Sequence, residues 1–477
     1  MEEKRRTKIV ASLGPSSESL IKEIVDSGAD VIRTNFSHAD HGWHRKMIRS
    51  VREFSSCGII CDIQGPKIRT GKVSKPFVLN IGDKIELTSD HVDGSPELLT
   101  VNYPGLTDDL EPGDSIFIND GMIKLEVTGL YDSKLECQVI RGGLVTSRKG
   151  CNIPKRDLSM GVPTEKDEKD LQLIAKLDPE FTAVSFVNGP DDVKRVREIL
   201  EDRGNDSVKL IAKIERPSAV SDIDRIIEVS DGVMIARGDL GVEIPPQEVP
   251  EVQKRVIKKC NREGKSAIVA TQMLDSMVNS RVPTRAEAND VFNAVLDGAD
   301  AVMLSNETAI GKYPVDSVRM MSDIAMHAEK MMPLRDPEYY DSTNQTMIET
   351  MGHACFTLAK EFNDIGYRGR ILAITDSGYS ARMISKYRPG LIIVGLTPDP
   401  RTARELSLTW GVDPVYSNRI VGDNVEERVQ NGILKAHSLG CLDGIDHVLV
   451  VLSSLNLGDH GFYSCTYEMD EFLKRSG

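Results

Sequence analysis

The sequence predicts an α/β protein built from a (β/α)8 barrel, a small β-barrel domain inserted into it as a lid, and a C-terminal open α/β domain. Three observations support this prediction: eight short apolar runs alternate with helical stretches, one interval between them is far longer than the others, and a second alternating series follows. A chain of 477 residues is long enough for about three domains. The predicted boundaries are residues 1–69 and 155–332 for the barrel, 70–154 for the insertion and 338–477 for the C-terminal domain.

The barrel is predicted from eight runs rich in β-branched residues, each followed by a stretch with helical periodicity. Eight βα units of this kind are typical of a closed barrel of parallel strands. After the eighth run, a helix is expected to continue with one apolar face, formed by Val318, Met321, Ala325 and Ala328. The predicted strands are residues 7–14, 29–36, 56–63, 181–187, 209–215, 231–238, 266–273 and 299–307.

The inserted domain is predicted from the interval between the third and fourth runs. This interval covers ~120 residues, which is too long for one crossover helix. From about Gly71 to Cys151 the sequence consists of short alternating strands separated by turn residues, as in residues 79–87 and 115–121. Such a pattern is typical of a small β-barrel or sandwich. Two narrow connections would let the domain move as a lid over the C-terminal ends of the barrel strands.

The C-terminal domain is predicted from four further apolar runs that alternate with helical stretches. They are residues 369–375, 391–397, 412–416 and 447–453. This alternation favours an open, mainly parallel sheet covered by helices.

The composition argues against several classes of partner and site. A formal net charge of -14 disfavours nucleic acids and anionic membranes as main partners, because both require clustered Lys and Arg. No window approaches a membrane span, and the N-terminus lacks the apolar run of a signal peptide, so a cytoplasmic protein is expected. The eight cysteines show neither a disulfide framework nor zinc-type pairs, which predicts reduced and mostly buried thiols.

Polar residues follow nearly every predicted barrel strand. In barrels of this kind the active site is built at the C-terminal ends of the strands. Glu215 and Asp239 lie at two such ends and are carboxylates suited to a hard cation, Mg²⁺ or Mn²⁺, and Lys213 lies two residues before the first. Cationic side chains near a metal favour phosphoryl transfer, because that reaction depends on positioning and charge neutralisation.

Two of these features also have simpler interpretations. Lys213 and Glu215 share one face of a strand, so they could form a purely structural ion pair. The segment 238–241 (GDLG) could present backbone N–H groups to a substrate carboxylate at a helix start, or it could be an ordinary turn between strand and helix. The residues alone leave both choices open.

Two long segments resemble pyruvate kinase. They are residues 231–245 (DGVMIARGDLGVEIP) and residues 271–308 (TQMLDSMVNSRVPTRAEANDVFNAVLDGADAVMLSNET). The resemblance covers essentially the whole chain, and chance matches of this length are implausible. It implies that the chain transfers the phosphoryl group of phosphoenolpyruvate to ADP, giving pyruvate and ATP in the last step of glycolysis. It also implies a homotetramer, since the family usually forms tetramers of two-fold symmetry.

The resemblance implies roles for the residues at the strand ends. Lys213 would stabilise the phosphoryl group in flight, Arg33 would contact the phosphate of phosphoenolpyruvate, and Glu215 and Asp239 would hold the divalent metal. The substrate carboxylate would be received by the backbone of Gly238 and Asp239 together with Thr271. We expect Thr271, through a water chain, to protonate the enolate that remains after transfer.

Two further sites follow from the resemblance. A monovalent-cation site is implied at Asn35, Ser37, Asp62 and the carbonyl of Ile63. Nucleotide phosphates are expected to bind at Arg33, Asn35, His38, Arg69 and the lid residue Lys149. The lid segment 119–121 (NDG) resembles a family segment that faces the site.

The sequence departs from the family pattern at Lys67. Members that require potassium usually have glutamate there, and a fixed ammonium could supply the positive charge that K⁺ otherwise brings. K⁺ is therefore possible as a cofactor but is not expected to be required. The alternative is that Lys67 points to solvent.

A second departure concerns regulation. One loop follows a strand and opens a helix, and it carries Thr375, Ser377, Gly378 and Ser380. It could bind an anionic effector, as the same loop binds sugar phosphates in part of the family. Alternatively, it could be a simple helix cap. The stretch 453–466 lacks the tryptophan and glycine-rich loop associated with fructose 1,6-bisphosphate. That activator is not expected to work.

Two rival functions remain at this point. Another barrel enzyme that handles phosphoenolpyruvate, such as a mutase or an aldolase-like lyase, would need neither the inserted lid nor a nucleotide site. A catalytically silent paralogue could act as a metabolite-binding regulatory subunit. The presence of Lys213, Glu215, Asp239 and Arg33 argues against this second rival.

Overall fold

Eight parallel strands close into a barrel in the computed structural model, which describes residues 4–119, 121–131, 133–154, 160–340, 346–418, 422, 424–453 and 462–476. Every predicted barrel run contributes one strand, so the predicted barrel is confirmed. Numbered in chain order, these strands are β1 (Lys8–Ser12), β2 (Val31–Asn35), β3 (Gly58–Asp62), β12 (Phe181–Val184), β13 (Lys209–Ile214), β14 (Gly232–Ala236), β15 (Ser266–Ala270) and β16 (Ala301–Leu304).

The barrel strands are apolar on both faces because each face has its own core. In β14, for example, Val233 and Ile235 pack outward against the surrounding helices, whereas Met234 points into the barrel and packs with Ile60 and Ile268. The side-chain period of two in a strand separates the two cores. Continuous apolar runs are therefore what this fold requires.

Helices surround the barrel. The predicted apolar face of the last helix is confirmed, since Val318, Met321, Ala325 and Ala328 are all buried. Among the described residues no helix is long and apolar enough to cross a membrane. The helices are α1 (Ile21–Asp26), α2 (His41–Phe54), α3 (Glu165–Leu177), α4 (Pro190–Asp202), α5 (Pro217–Ser221), α6 (Ile223–Val229), α7 (Arg237–Glu243), α8 (Val249–Arg262), α9 (Arg285–Asp297), α10 (Asn306–Ala309) and α11 (Pro314–Lys330).

The insertion between β3 and β12 consists of β-strands around its own core, as predicted. A six-stranded sheet has the order β11-β7-β8-β9-β5-β6, and β10 pairs with β4. Ile116, Ile118 and Leu125 are among its buried apolar side chains. The strands are β4 (Phe77–Leu79), β5 (Lys84–Thr88), β6 (Leu98–Thr100), β7 (Ser115–Ile118), β8 (Ile123–Tyr131), β9 (Lys134–Arg141), β10 (Gly143–Val145) and β11 (Cys151–Asn152).

The C-terminal sheet has five strands in the order β19-β18-β17-β20-β21. The four predicted runs form its parallel strands, and the antiparallel edge strand β21 was not predicted. The strands are β17 (Gly369–Ile374), β18 (Ile393–Thr397), β19 (Val412–Tyr416), β20 (His447–Ser453) and β21 (Phe462–Glu468). The helices are α12 (Met347–Ile365), α13 (Tyr379–Ser385), α14 (Pro400–Leu406), α15 (Val425–Ser438) and α16 (Met469–Ser476). The predicted domain boundaries remain predictions.

Helix α14 docks the C-terminal region against the N-terminal ends of the barrel strands. Arg404 Nε donates to Glu180 Oε1 over 2.6 Å, and Arg401 Nη1 donates to Asp178 Oδ1 over 2.7 Å. Just beyond the helix, Leu408 is 1% exposed and joins the apolar cluster inside the barrel, next to residues such as Ile211. A side chain from the C-terminal region thus completes the barrel core.

Replacing Leu408 by alanine is expected to lower the free energy of unfolding by about 2–5 kcal/mol, because it leaves a cavity in a packed core. Urea titration monitored by circular dichroism measures the change. Leu439, which is 47% exposed, provides the control, and its replacement by alanine should have little effect. Equal effects of the two substitutions would show that Leu408 does not contribute to the barrel core.

Candidate active site

A cavity of about 890 Å³ opens at the C-terminal ends of the barrel strands. Its position agrees with the general location of active sites in such barrels. Most of the predicted site residues line it. They are Arg33, Asn35, Ser37, His38, Lys67, Lys213, Glu215, Gly238, Asp239 and Thr271.

Lys213 lies at the centre of this arrangement, near the end of β13. Its Nζ donates to Ser185 Oγ over 2.6 Å and lies 2.9 Å from Glu215 Oε1 and 3.3 Å from Asp62 Oδ1. Burial favours the neutral amine, but Asp62 and Glu215 outweigh it and raise the pKa of Lys213. The side chain is therefore a fixed ammonium that remains 11% exposed toward the cavity.

Arg33 and Asp62 form a buried ion pair beside Lys213. Arg33 Nε donates to Asp62 Oδ2 over 2.8 Å, and Arg33 Nη1 donates to Ser12 Oγ over 2.8 Å. Burial opposes ionisation of Asp62, but Lys213 and Arg33 outweigh it and lower the pKa of this carboxyl. Asp62 thus contacts both cations, and the next residue, Ile63, is fully buried.

Glu215 and Asp239 are the two carboxylates that could hold a divalent metal. Glu215 is fully buried, and its Oε2 accepts the Phe186 N–H over 2.6 Å. Its Oε1 accepts no hydrogen bond within the described part of the chain, although it lies near Lys213. Burial raises the pKa of Glu215, and the charge of Asp239 raises it further. A cation bound between Glu215 and Asp239 would lower the pKa of Glu215 and favour its ionised form.

The donor set fits Mg²⁺ or Mn²⁺. No group of three or more His, Cys, Asp or Glu side chains able to hold a metal occurs among the residues that the structure describes. Two carboxylates are sufficient for Mg²⁺, because this ion keeps several waters and takes other ligands from a phosphorylated substrate. A closed, all-protein metal cage is therefore not required.

Lys67 points into the site. It lines the cavity, its Nζ lies 3.4 Å from Asp239 Oδ1, and its side chain is 30% exposed. In this conformation Lys67 does not extend into solvent, which was the alternative left open by the sequence. Its ammonium is placed beside a candidate metal ligand.

Thr271 follows β15 in an unusual conformation. Thr271 and Gln272 have φ values of 68° and 55°, in the left-handed region that L-residues rarely adopt. Thr271 Oγ1 accepts the Gly238 N–H over 2.8 Å and donates to the Ala270 carbonyl over 2.6 Å. The Gly238 N–H, predicted to receive a substrate carboxylate, is therefore engaged by Thr271 here.

The residues predicted to bind nucleotide fall into two groups. Asn35 and His38 line the cavity, and burial, reinforced by Arg69 and Arg33, lowers the pKa of His38. Arg69 and Lys149 lie at the base of the lid, outside the cavity lining, where Arg69 Nη1 donates to the Arg148 carbonyl over 3.1 Å.

The lid segment 119–121 is described only in part, because position 120 lies outside the described residues. A Cβ added to Gly121 would lie 3.8 Å from Val242 Cγ1 on α7. This end of the lid therefore faces the helix that carries Asp239.

The predicted effector loop connects β17 to α13. Gly378 adopts a φ of 74°, and its N–H donates to Thr375 Oγ1 over 3.0 Å. Thr375 and Ser380 are buried, whereas Ser377 is exposed. The prediction about fructose 1,6-bisphosphate falls partly on residues 454–461, which lie outside the described residues.

Ser185 and Asp290 were missed by sequence reasoning. Ser185 binds Lys213 and also donates to Asp62 Oδ1 over 3.2 Å. A signal for Ser185 was present, since it is a polar residue that directly follows strand β12. Asp290 lies on α9 and binds Arg237, and no local pattern marks it.

Comparison with known proteins agrees with this geometry. The family profile described as "Pyruvate kinase, barrel domain" matches residues 4–318, and "Pyruvate kinase, alpha/beta domain" matches residues 349–462. A pyruvate kinase of Sporosarcina psychrophila is 39% identical over 476 residues, covering 96% of this chain and 79% of that protein. A pyruvate kinase of Staphylococcus aureus MRSA252 is 40% identical over 453 residues, covering 90% of this chain and 77% of that protein. The chain belongs to the pyruvate kinase family.

Proposed function

We propose that this phosphotransferase moves the phosphoryl group of phosphoenolpyruvate to ADP, giving pyruvate and ATP. The observation that carries the proposal is the largely buried ammonium of Lys213, held by Ser185, Asp62 and Glu215 in the cavity. An ammonium fixed in this way is suited to the charge on a phosphoryl group during in-line transfer.

The residues around Lys213 supply the rest of the reaction. Arg33 brings a second positive charge to the phosphate, and its ion pair with Asp62 keeps the guanidinium in place before substrate arrives. A divalent cation held by Glu215 and Asp239 supplies further charge neutralisation when bound. Asn35, His38, Arg69 and Lys149 are proposed to bind the nucleotide phosphates, with the last two brought to the cavity by lid closure.

A coupled assay of pyruvate formation tests this function directly. With phosphoenolpyruvate, ADP and Mg²⁺ present, the protein should form pyruvate and ATP in equal amounts, and omission of Mg²⁺ should abolish turnover. Binding of phosphoenolpyruvate without any turnover would instead support the catalytically silent paralogue.

Thr271 is proposed to protonate the enolate through a water chain. Replacing it by valine, which keeps the shape but removes the hydroxyl, should slow this step about 10²-fold. The rate of exchange between the methyl protons of pyruvate and D₂O, measured by NMR with Mg²⁺ and ATP, reports the step.

Thr182 provides the control for this substitution. Its buried hydroxyl has no hydrogen-bond partner within the described residues, so Thr182→Val should leave exchange unchanged. Full-speed exchange by the Thr271→Val protein would remove Thr271 from the proton path.

We also propose a cytoplasmic homotetramer. The eight cysteines are all free thiols, which suits a reducing compartment. Light scattering of the purified protein measures the mass of the assembly.

Turnover should not respond to fructose 1,6-bisphosphate. Other sugar phosphates are to be tested as effectors that bind the loop from Thr375 to Ser380.

A further inference from the structure

The turn at Thr271 and Gln272 needs support from its surroundings. Each residue has a positive φ, and for the β-branched Thr271 this is a costly conformation. Both residues line the active-site cavity. A strained backbone persists only where neighbouring groups hold it, so those groups decide where Thr271 is placed.

Arg237 provides this support from the neighbouring strand end. Its Nη2 donates to the Thr271 carbonyl over 2.9 Å, and the next residue, Gly238, donates its N–H to Thr271 Oγ1 over 2.8 Å. Residues 237 and 238 thus hold Thr271 at its carbonyl and at its hydroxyl. The Arg237 side chain is 11% exposed and is not among the residues that line the cavity.

Asp290 on α9 anchors the guanidinium. Arg237 Nη1 and Nη2 donate to the two Asp290 oxygens over 2.7 Å each, which is the bidentate geometry that fixes the plane of an arginine. Helix α9 itself begins with a capping box between Thr284 and Glu287. The Arg237 side chain therefore connects the strained turn to α9, a helix whose first turn is stabilised by a capping box.

We propose that Arg237, held by Asp290, is a positioning residue for Thr271 in the transfer from phosphoenolpyruvate. This inference rests on the proposed function. The pair of Arg237 and Asp290, which we call the clamp, keeps the Thr271 hydroxyl beside Gly238. This is the end of the cavity expected to receive the substrate carboxylate. An ion pair that merely tied α7 to α9 would stabilise the fold without any selective effect on the step that uses Thr271.

A double-mutant cycle separates these roles. Arg237→Met should lower kcat/KM for phosphoenolpyruvate about 10²-fold, because displacements of about 1 Å at a reacting group cost this much. It should slow proton exchange of pyruvate by a similar factor. If Arg237 acts through Thr271, the double variant Arg237→Met/Thr271→Val should be no slower in exchange than the slower single variant. If the double variant instead slows exchange by the product of the two single effects, the proposal is wrong.

Two further variants complete the experiment. Arg237→Lys keeps the charge but loses the bidentate contact, so it should recover only part of the activity. Arg197 binds Asp231 over 3.0 Å and links α4 to the start of β14 away from the cavity. Arg197→Met is the matched control and should keep kcat/KM within about twofold of the wild type. Equal losses in the two methionine variants would overturn the proposal.

The wild-type protein distinguishes failure of this inference from failure of the proposed function. Absence of pyruvate formation by the wild type would reject the function. The affinity for phosphoenolpyruvate with Mg²⁺, measured by calorimetry, then tests the clamp, since Arg237→Met should weaken it about tenfold and Arg197→Met should not. Unchanged affinity in the Arg237→Met protein would overturn the clamp.

Discussion

Replacing Lys213 by methionine is expected to lower kcat about 10³- to 10⁵-fold, because the reaction would lose a preorganised cation next to the transferred phosphoryl group. The structure explains why Arg33 alone should not replace this charge. Lys213 is fixed by Ser185, Glu215 and Asp62, and Arg33 is already committed to Asp62. Binding of phosphoenolpyruvate should remain measurable by calorimetry, since Arg33 and the metal ligands are retained.

Lys209 is the matched control for this experiment. It lies at the opposite end of the same strand, away from the cavity, so Lys209→Met should leave kcat nearly unchanged. Loss of the Lys213 ammonium also leaves Asp62 and Glu215 without their shared partner, so thermal unfolding of each variant should be measured alongside activity. A folded Lys213→Met protein with near-normal kcat would refute the role of this lysine.

Turnover is expected in buffer free of both K⁺ and Na⁺. The Lys67 ammonium lies 3.4 Å from Asp239 Oδ1 and lines the cavity, so it can supply the positive charge that K⁺ brings elsewhere in the family. Lys67→Glu should lower activity without K⁺ about 10²-fold, and added K⁺ should restore much of it. The measurement is the initial rate against K⁺ concentration for both proteins.

Lys67→Gln separates loss of the ammonium from gain of a carboxylate. This variant should also be slow without K⁺, but K⁺ should restore it less well because no carboxylate is added to bind the ion. A wild-type protein that forms no pyruvate until K⁺ is added would refute the prediction. In that case Asn35, Ser37 and Asp62 would regain the cation-site role that the family resemblance implies.

The strands and helices of the barrel could be predicted because their signals are local. Runs such as that around Val233 and Met234 are apolar on both strand faces, and the face of α11 repeats with helical periodicity. Strand β21 was missed because it lacks such a local signal: its sequence, FYSCTYE, mixes aromatic and polar side chains and contains no continuous apolar run. Its identity as a strand depends on pairing with β20.

The sequence by itself determined which residue types stand at the strand ends and therefore the chemistry to be expected, with Lys213, Glu215, Asp239 and Arg33 in the main roles. Only the tertiary structure decided how these groups are fixed. The hydrogen bonds from Lys213 to Ser185 and from Arg33 to Asp62, and the entry of Leu408 into the barrel core, join residues that are far apart in the chain. Such contacts depend on strand order and packing, which local sequence patterns do not encode.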